Sequence, residues 1–179
     1  RSGEDAAWVR AMNLTNGRIA SAPAIAGTLD FSSGMPSGMT TGGHSGWQVE
    51  GSGSSAVLRS GRIGDNQRSV VDFTVEMDRG GRLEFDVRVS SEGGYDYLVL
   101  NVDGNRRERW SGDVPWRRVG FDLDSGRHTI ELVYEKDGSA RSGEDAAWVR
   151  AMSLTNGRIV PVTAVAPGPA IAGMLDFSS

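Results

Sequence analysis

The chain has 179 residues, enough for one domain of the usual ~100–150 residues with some left over. Its formal net charge of −4 argues against nucleic acid as a main partner, since that binding is driven by phosphate neutralisation, and no apolar run approaches the ~20 residues a membrane-spanning helix needs. Cysteine is absent, which removes disulfides, thiolate metal sites and cysteine nucleophiles.

The chain opens at Arg1 with neither a methionine nor a signal peptide, as expected for a section of a longer protein. Residues 1–19, RSGEDAAWVRAMNLTNGRI, return at 141–159 with Ser153 in place of Asn13, and AIAGTLDFSS at 24–33 returns at 170–179 with Met174 in place of Thr28. The linkers between the blocks vary: ASAP at 20–23 becomes VPVTAVAPGP at 160–169. A period of 140 residues exceeds the ~20–50 of solenoid repeats, so each copy should fold on its own core. The expected organisation is the last strand of a preceding repeat over 1–19, a linker over 20–27, and a complete module over 28–159. A Pro/Ala-rich linker over 160–173 and the first strand of a following repeat over 174–179 complete it.

Within the module the pattern has period two. Val71, Phe73, Val75 and Met77 alternate with polar residues, and after DRGG so do Leu83, Phe85, Val87 and Val89, which predicts a hairpin buried on one face. YDYLVLNVD at 95–103 is apolar on both faces, as in a strand at the middle of a sheet, and Asp103-Gly104 signals a tight turn. Val119, Phe121 and Leu123 make a further strand, and beyond the DSG turn His128, Ile130, Leu132 and Tyr134 line the next. No stretch shows a 3.6-residue period. Nine or ten short strands joined by Gly/Asp turns imply an all-β fold, a two-sheet antiparallel β-sandwich or jelly roll.

The segments SGWQVE, SSEGGYDYLVLNVDG, WSGDVPWRRVGFDLDSGRHTIELVYEKDGS and SGEDAAWV resemble the MAM-like, concanavalin A-type jelly-roll modules of bacterial secreted proteins and large surface adhesins. The resemblance covers nearly all of 28–159. Its most specific pieces are SSE-x-x-YDYL, G-x-H-T leading into Y-x-KD, and the final G-x-D-x-AW. It implies structural roles for Trp116 and Trp148, and a first and last strand lying side by side in one sheet. Arg150 stands where the family would have a carboxylate, which speaks against a metal role at that position.

Candidate sites are few. His44, in the loop TTGGHSG, and His128, at the start of a strand, are the histidines available to activate a nucleophile, and neither sits in a triad-like setting. Carboxylates that alternate along strands read as a solvated face, not a glycosidase pair. KDGSARSGED clusters oxygen donors, so Asp137 and Asp145, joined by Asp30 if the first and last strands are adjacent, form a candidate calcium site. The alternative is a polar loop with its carboxylates turned to solvent. In NRRERWSGDVPWRR, Arg107, Arg109, Trp110 and Arg117 could grip an acidic polysaccharide, the alternative being core tryptophans with arginines stacked on them.

These readings point to a non-enzymatic structural or adhesive repeat of a large extracellular or cell-surface bacterial protein. The rival is a carbohydrate-binding module of a secreted polysaccharide-active protein. Expected partners are neighbouring copies of the module or a polysaccharide, with no nucleic acid and no membrane insertion. The flanking copies suggest strand exchange between chains, through Ala7, Trp8, Val9, Met12 and Leu14 at one end and Leu175 and Phe177 at the other, with a filament as the natural outcome.

Overall fold

A computed structural model describes residues 25–29, 31–139 and 142–161. The strands are β1 (Ile25–Leu29), β2 (Met39–Gly43), β3 (Gln48–Glu50), β4 (Val57–Arg59), β5 (Arg68–Ser90), β6 (Tyr97–Val102), β7 (Asn105–Trp110), β8 (Asp113–Leu123), β9 (Gly126–Glu135) and β10 (Ala146–Val160). All pairings are antiparallel, and together they form a single sheet that curls into a β-sandwich. One half runs β2, the first part of β5, β9, β6, β7. The other runs β3, β4, β10, the second part of β5, β8, with β1 added along β10.

The alternation read from residues 71–89 holds residue by residue. Val71, Phe73, Val75, Met77, Leu83, Phe85, Val87 and Val89 are all buried, while Asp72, Thr74, Glu76, Glu84, Asp86 and Arg88 point the other way. Burying each such apolar side chain contributes about 1.5–3 kcal/mol. The predicted hairpin, however, is not there. DRGG does not reverse the chain: β5 is continuous, pairing with β9 over Arg68–Met77 and with β8 over Gly81–Ser90. A two-residue hairpin turn needs positive φ at its centre, and neither Gly80 nor Gly81 adopts it. Strand β10 bulges at the same level, where Asn156 takes φ 60° and the register with β5 shifts between Thr155 and Gly157. Asn156 donates to the Gly80 carbonyl and accepts from Arg79, which locks the two irregularities together. Both strands therefore pass from one half of the sandwich into the other.

Asp103-Gly104 does make the tight turn expected of it, with φ of 52° and 74° at its two residues. The anticipated neighbouring of first and last strands also holds: Thr28 pairs with Ser153 and Leu29 with Met152. Across the core, the Trp110 ring from β7 meets Phe85 and Phe121 from the opposite half edge-on, at centroid distances of 6.3 and 6.4 Å.

Gly81 fixes the bend by close approach. A methyl group there would lie 2.0 Å from the Thr155 carbonyl oxygen, whereas at Gly80 the nearest atom is 3.7 Å away. Gly81→Ala should therefore cost about 1–3 kcal/mol in denaturant unfolding, as overpacking does. Gly80→Ala should leave the midpoint nearly unchanged.

Candidate functional site

Strands β6, β9 and β10 each end in a charge on the inward-facing side. In β6 the core residues are Leu98, Leu100 and Val102, and the same parity continues back to Asp96. In β9 it runs from Ile130, Leu132 and Tyr134 to Lys136, and in β10 from Val149 and Ala147 to Asp145. The three meet: the Lys136 ammonium lies 3.2 Å from Asp96 and 2.8 Å from Asp145. The side chains of Lys136 and Asp96 have no solvent exposure. Burial pulls the Lys136 pKa down, but the two carboxylates outweigh it and leave it above the ordinary lysine value. Burial, with the Asp96 and Asp145 charges adding to it, pushes the Tyr134 phenol well up, so it stays protonated.

The surrounding loops are held by directional bonds. The Asp137 amide donates to Asp96 Oδ1 at 3.0 Å, the Asn66 amide to the Asp137 carbonyl at 2.7 Å, and the Lys136 amide to the Gln67 carbonyl at 3.0 Å. The Ser139 amide donates to Asp137 Oδ1. Of the residues read from sequence as a calcium set, Asp137 and Asp145 thus lie in neighbouring loops, with Asp145 bound to Lys136, while Asp30 falls outside the described residues. Glu92 and Asp96, which are outside that set, place one oxygen each within 4.8 Å of an Asp137 oxygen.

In the arginine-tryptophan segment the structure corrects the place of Trp110. Trp110 is 5% exposed and belongs to the core, so it has no free face. Arg109 stacks on Tyr97 at 4.4 Å and Arg107 donates to the Asp122 carbonyl, while Arg117 is exposed on β8. Arg150 covers Trp116 at 4.3 Å and pairs with Asp86, which accounts for a cation where the family resemblance calls for a carboxylate. Trp148 lies between Arg88 and Arg59 and donates to Glu50, as its structural role implies. Two polar clefts, of about 340 and 450 Å³, meet at Arg59 and Arg62.

Both histidines are engaged. His44 Nδ1 accepts the Arg68 amide, and His128 bonds Asp103 at 2.7 Å and the Asp124 carbonyl at 3.1 Å. The Asp103 hydrogen bond, opposed by burial, raises the His128 pKa, and the same bond lowers that of Asp103.

No protein-family model matches the chain, and no curated protein sequence matches it significantly. Solved structures do. The secreted serine protease VesC from Vibrio cholerae aligns with a TM-score of 0.55 and 16% identity over 70% of this chain and 26% of that one. The chain thus spans about a quarter of the length of that protease chain. The K1 cleaved adhesin domain of Lys-gingipain from Porphyromonas gingivalis W83 aligns at 0.54 and 14% over 72% of this chain and 96% of the domain. The K3 domain of the same protein aligns at 0.54 and 13% over 74% and 99%. What is shared at such identities is the β-sandwich; the MAM-like kinship suggested by the motifs is finer than this likeness reaches.

Two outcomes follow from the charges. Lys136→Met leaves the buried Asp96 carboxylate and the partly buried Asp145 without their cation and should cost about 3–5 kcal/mol in urea unfolding. A raised folded-state pKa stabilises fully below the unfolded value of 6.5 and loses that contribution as pH rises through the folded one, so melting temperature should fall above pH 6.5. His128→Gln should flatten the fall.

Proposed function

We propose that the chain is a non-catalytic binding and spacing module of an extracellular or cell-surface protein, repeated in tandem and joined to its copies through strands β1 and β10. The pairing of β1 with β10 carries this reading. The two segments that recur in the sequence are the ones that pair inside the module: β10 recurs ahead of it and β1 behind it. Ala7, Trp8, Val9, Met12 and Leu14 match Ala147, Trp148, Val149, Met152 and Leu154, and Leu175 and Phe177 match Leu29 and Phe31. Every one of these module residues is buried. The flanking copies, which lie outside the described residues, therefore carry apolar side chains shaped for a slot that a neighbouring copy possesses. Exchange between ends is head-to-tail and need not close, so it extends into a filament.

The likeness to two cleaved adhesin domains over almost their whole length supports an adhesive module, as does the engagement of both histidines in bonds unrelated to any nucleophile. Polysaccharide binding is the second reading, favoured by the polar clefts that meet at Arg59 and Arg62. Aromatic stacking gives it little support: among the described residues Trp47, Trp110 and Trp148 are buried and Trp116 lies under Arg150.

Light scattering tests the joint. The whole chain should grow in mass with concentration, while a chain trimmed to residues 24–160 should stay monomeric. Equal, concentration-independent monomers would remove strand exchange.

A further inference from the structure

Strands β1 and β10 are held very differently. Among the described residues β1 pairs with β10 alone, whereas β10 is also laddered to β4 and to both parts of β5. Withdrawing β1 opens one ladder. Withdrawing β10 opens three and takes Ala147, Val149, Met152, Leu154 and Ile159 out of the core.

The place that β1 fills is also specific. Between Ala26 and Gly27 its register against β10 skips from Arg158 to Leu154, and Gly27 takes φ 94°, a backbone that glycine adopts without strain. Beyond the skip, Leu29 and Phe31 are buried, while Thr28, opposite Ser153, is exposed. An incoming strand therefore needs glycine at the skip and large apolar residues two and four positions later. Residues 170–179 meet each requirement: Gly173, Leu175 and Phe177 stand at those places, and the single difference from 24–33, Met174 for Thr28, falls at the exposed position.

The two connections differ in reach. Residues 20–24 are short enough for a hairpin loop, so the copy of β10 at 1–19 can take up 24–33 locally. Residues 160–170 are longer and carry Pro161, Pro167 and Pro169, which favour an extended path over a return to the same β10.

We propose, resting on the reading that copies join through β1 and β10, that residues 170–179 are the donor strand and that the β1 side of β10 in a second copy of the chain is the acceptor. Each β10 stays in its own sandwich. The displaced 24–33 then meets the copy of β10 just ahead of it, so exchange makes two such pairs per chain where the closed chain makes one. The joint has a direction, each chain giving at its C-terminal end and receiving at β10.

Cysteine trapping on the whole chain tests this, since the chain has no cysteine of its own. Cross-strand partners lie about 4.5–5.5 Å apart at Cα, within disulfide reach. Met174→Cys with Ser153→Cys should oxidise to a ladder of linked chains on a non-reducing gel. Independently, Phe177→Asp should weaken association at least tenfold in light scattering and leave the melting temperature unchanged. A link between positions 174 and 153 confined to single chains would overturn the proposal, because the segment would be folding back. Links between chains through Asn13→Cys with Thr28→Cys, with none through 174 and 153, would also overturn it by making the copy of β10 the donor. In both cases mass that still grows with concentration leaves the joint itself standing, whereas a whole chain that stays monomeric removes the joint as well.

Discussion

A lysine ammonium held between two carboxylates, at the end of a hydrophobic core, is the constraint on which the loop end of this sandwich depends. Lys136, Asp96 and Asp145 come from the ends of three different strands, and each points inward. Taking such charges out of water costs several kcal/mol per ion, so the arrangement persists only while all members are present and correctly placed. That conditional character is what makes the cluster a clamp: the start of β6, the end of β9 and the start of β10 cannot separate without exposing an unpaired buried charge. Asp145 even takes φ 49°, a left-handed backbone that a non-glycine residue adopts at a cost, to reach its place.

The other determinant is the pair β5 and β10. Both strands run through the two halves of the sandwich, and both are irregular at the same level, with Gly81 pressed against the Thr155 carbonyl and Asn156 bonded to Gly80. With their paths shared, β8 and β9 take successive stretches of β5, and the aromatic contact of Trp110 with Phe85 and Phe121 closes the space between the halves. Strand β10 also receives β1, so the element that organises the module is the one whose copy recurs at the other end of the chain.

Much of this was legible in the sequence. Alternation over 71–77 and 83–89 identified the buried side chains, Asp103-Gly104 identified a turn, and the motif resemblance placed the first strand beside the last. Alternation does not say whether a Gly-Gly step reverses a strand or bends it, because both keep the same face buried; only the absent positive φ distinguishes them. Trp110 was misplaced because every residue from Asn105 to Arg109 is exposed, and its inward direction comes from pairing opposite Leu98. Asp96, Lys136 and Asp145 could have been found, since each continues the inward parity of its strand. Charge alone suggested the surface, and parity was the stronger signal.

A sandwich clamped at its loop end, with β1 paired along β10, is consistent with the spacing module proposed above. The claim beneath this account is that the buried charges hold the loops as firmly as the strands. Amide hydrogen exchange on the whole chain measures it most directly, at Asp137, whose amide is bonded to the Asp96 carboxylate. The account predicts that this loop amide exchanges as slowly as that of Leu132 in the middle of β9, opening only with global unfolding. Exchange as fast as at the exposed Gly104 turn would contradict it.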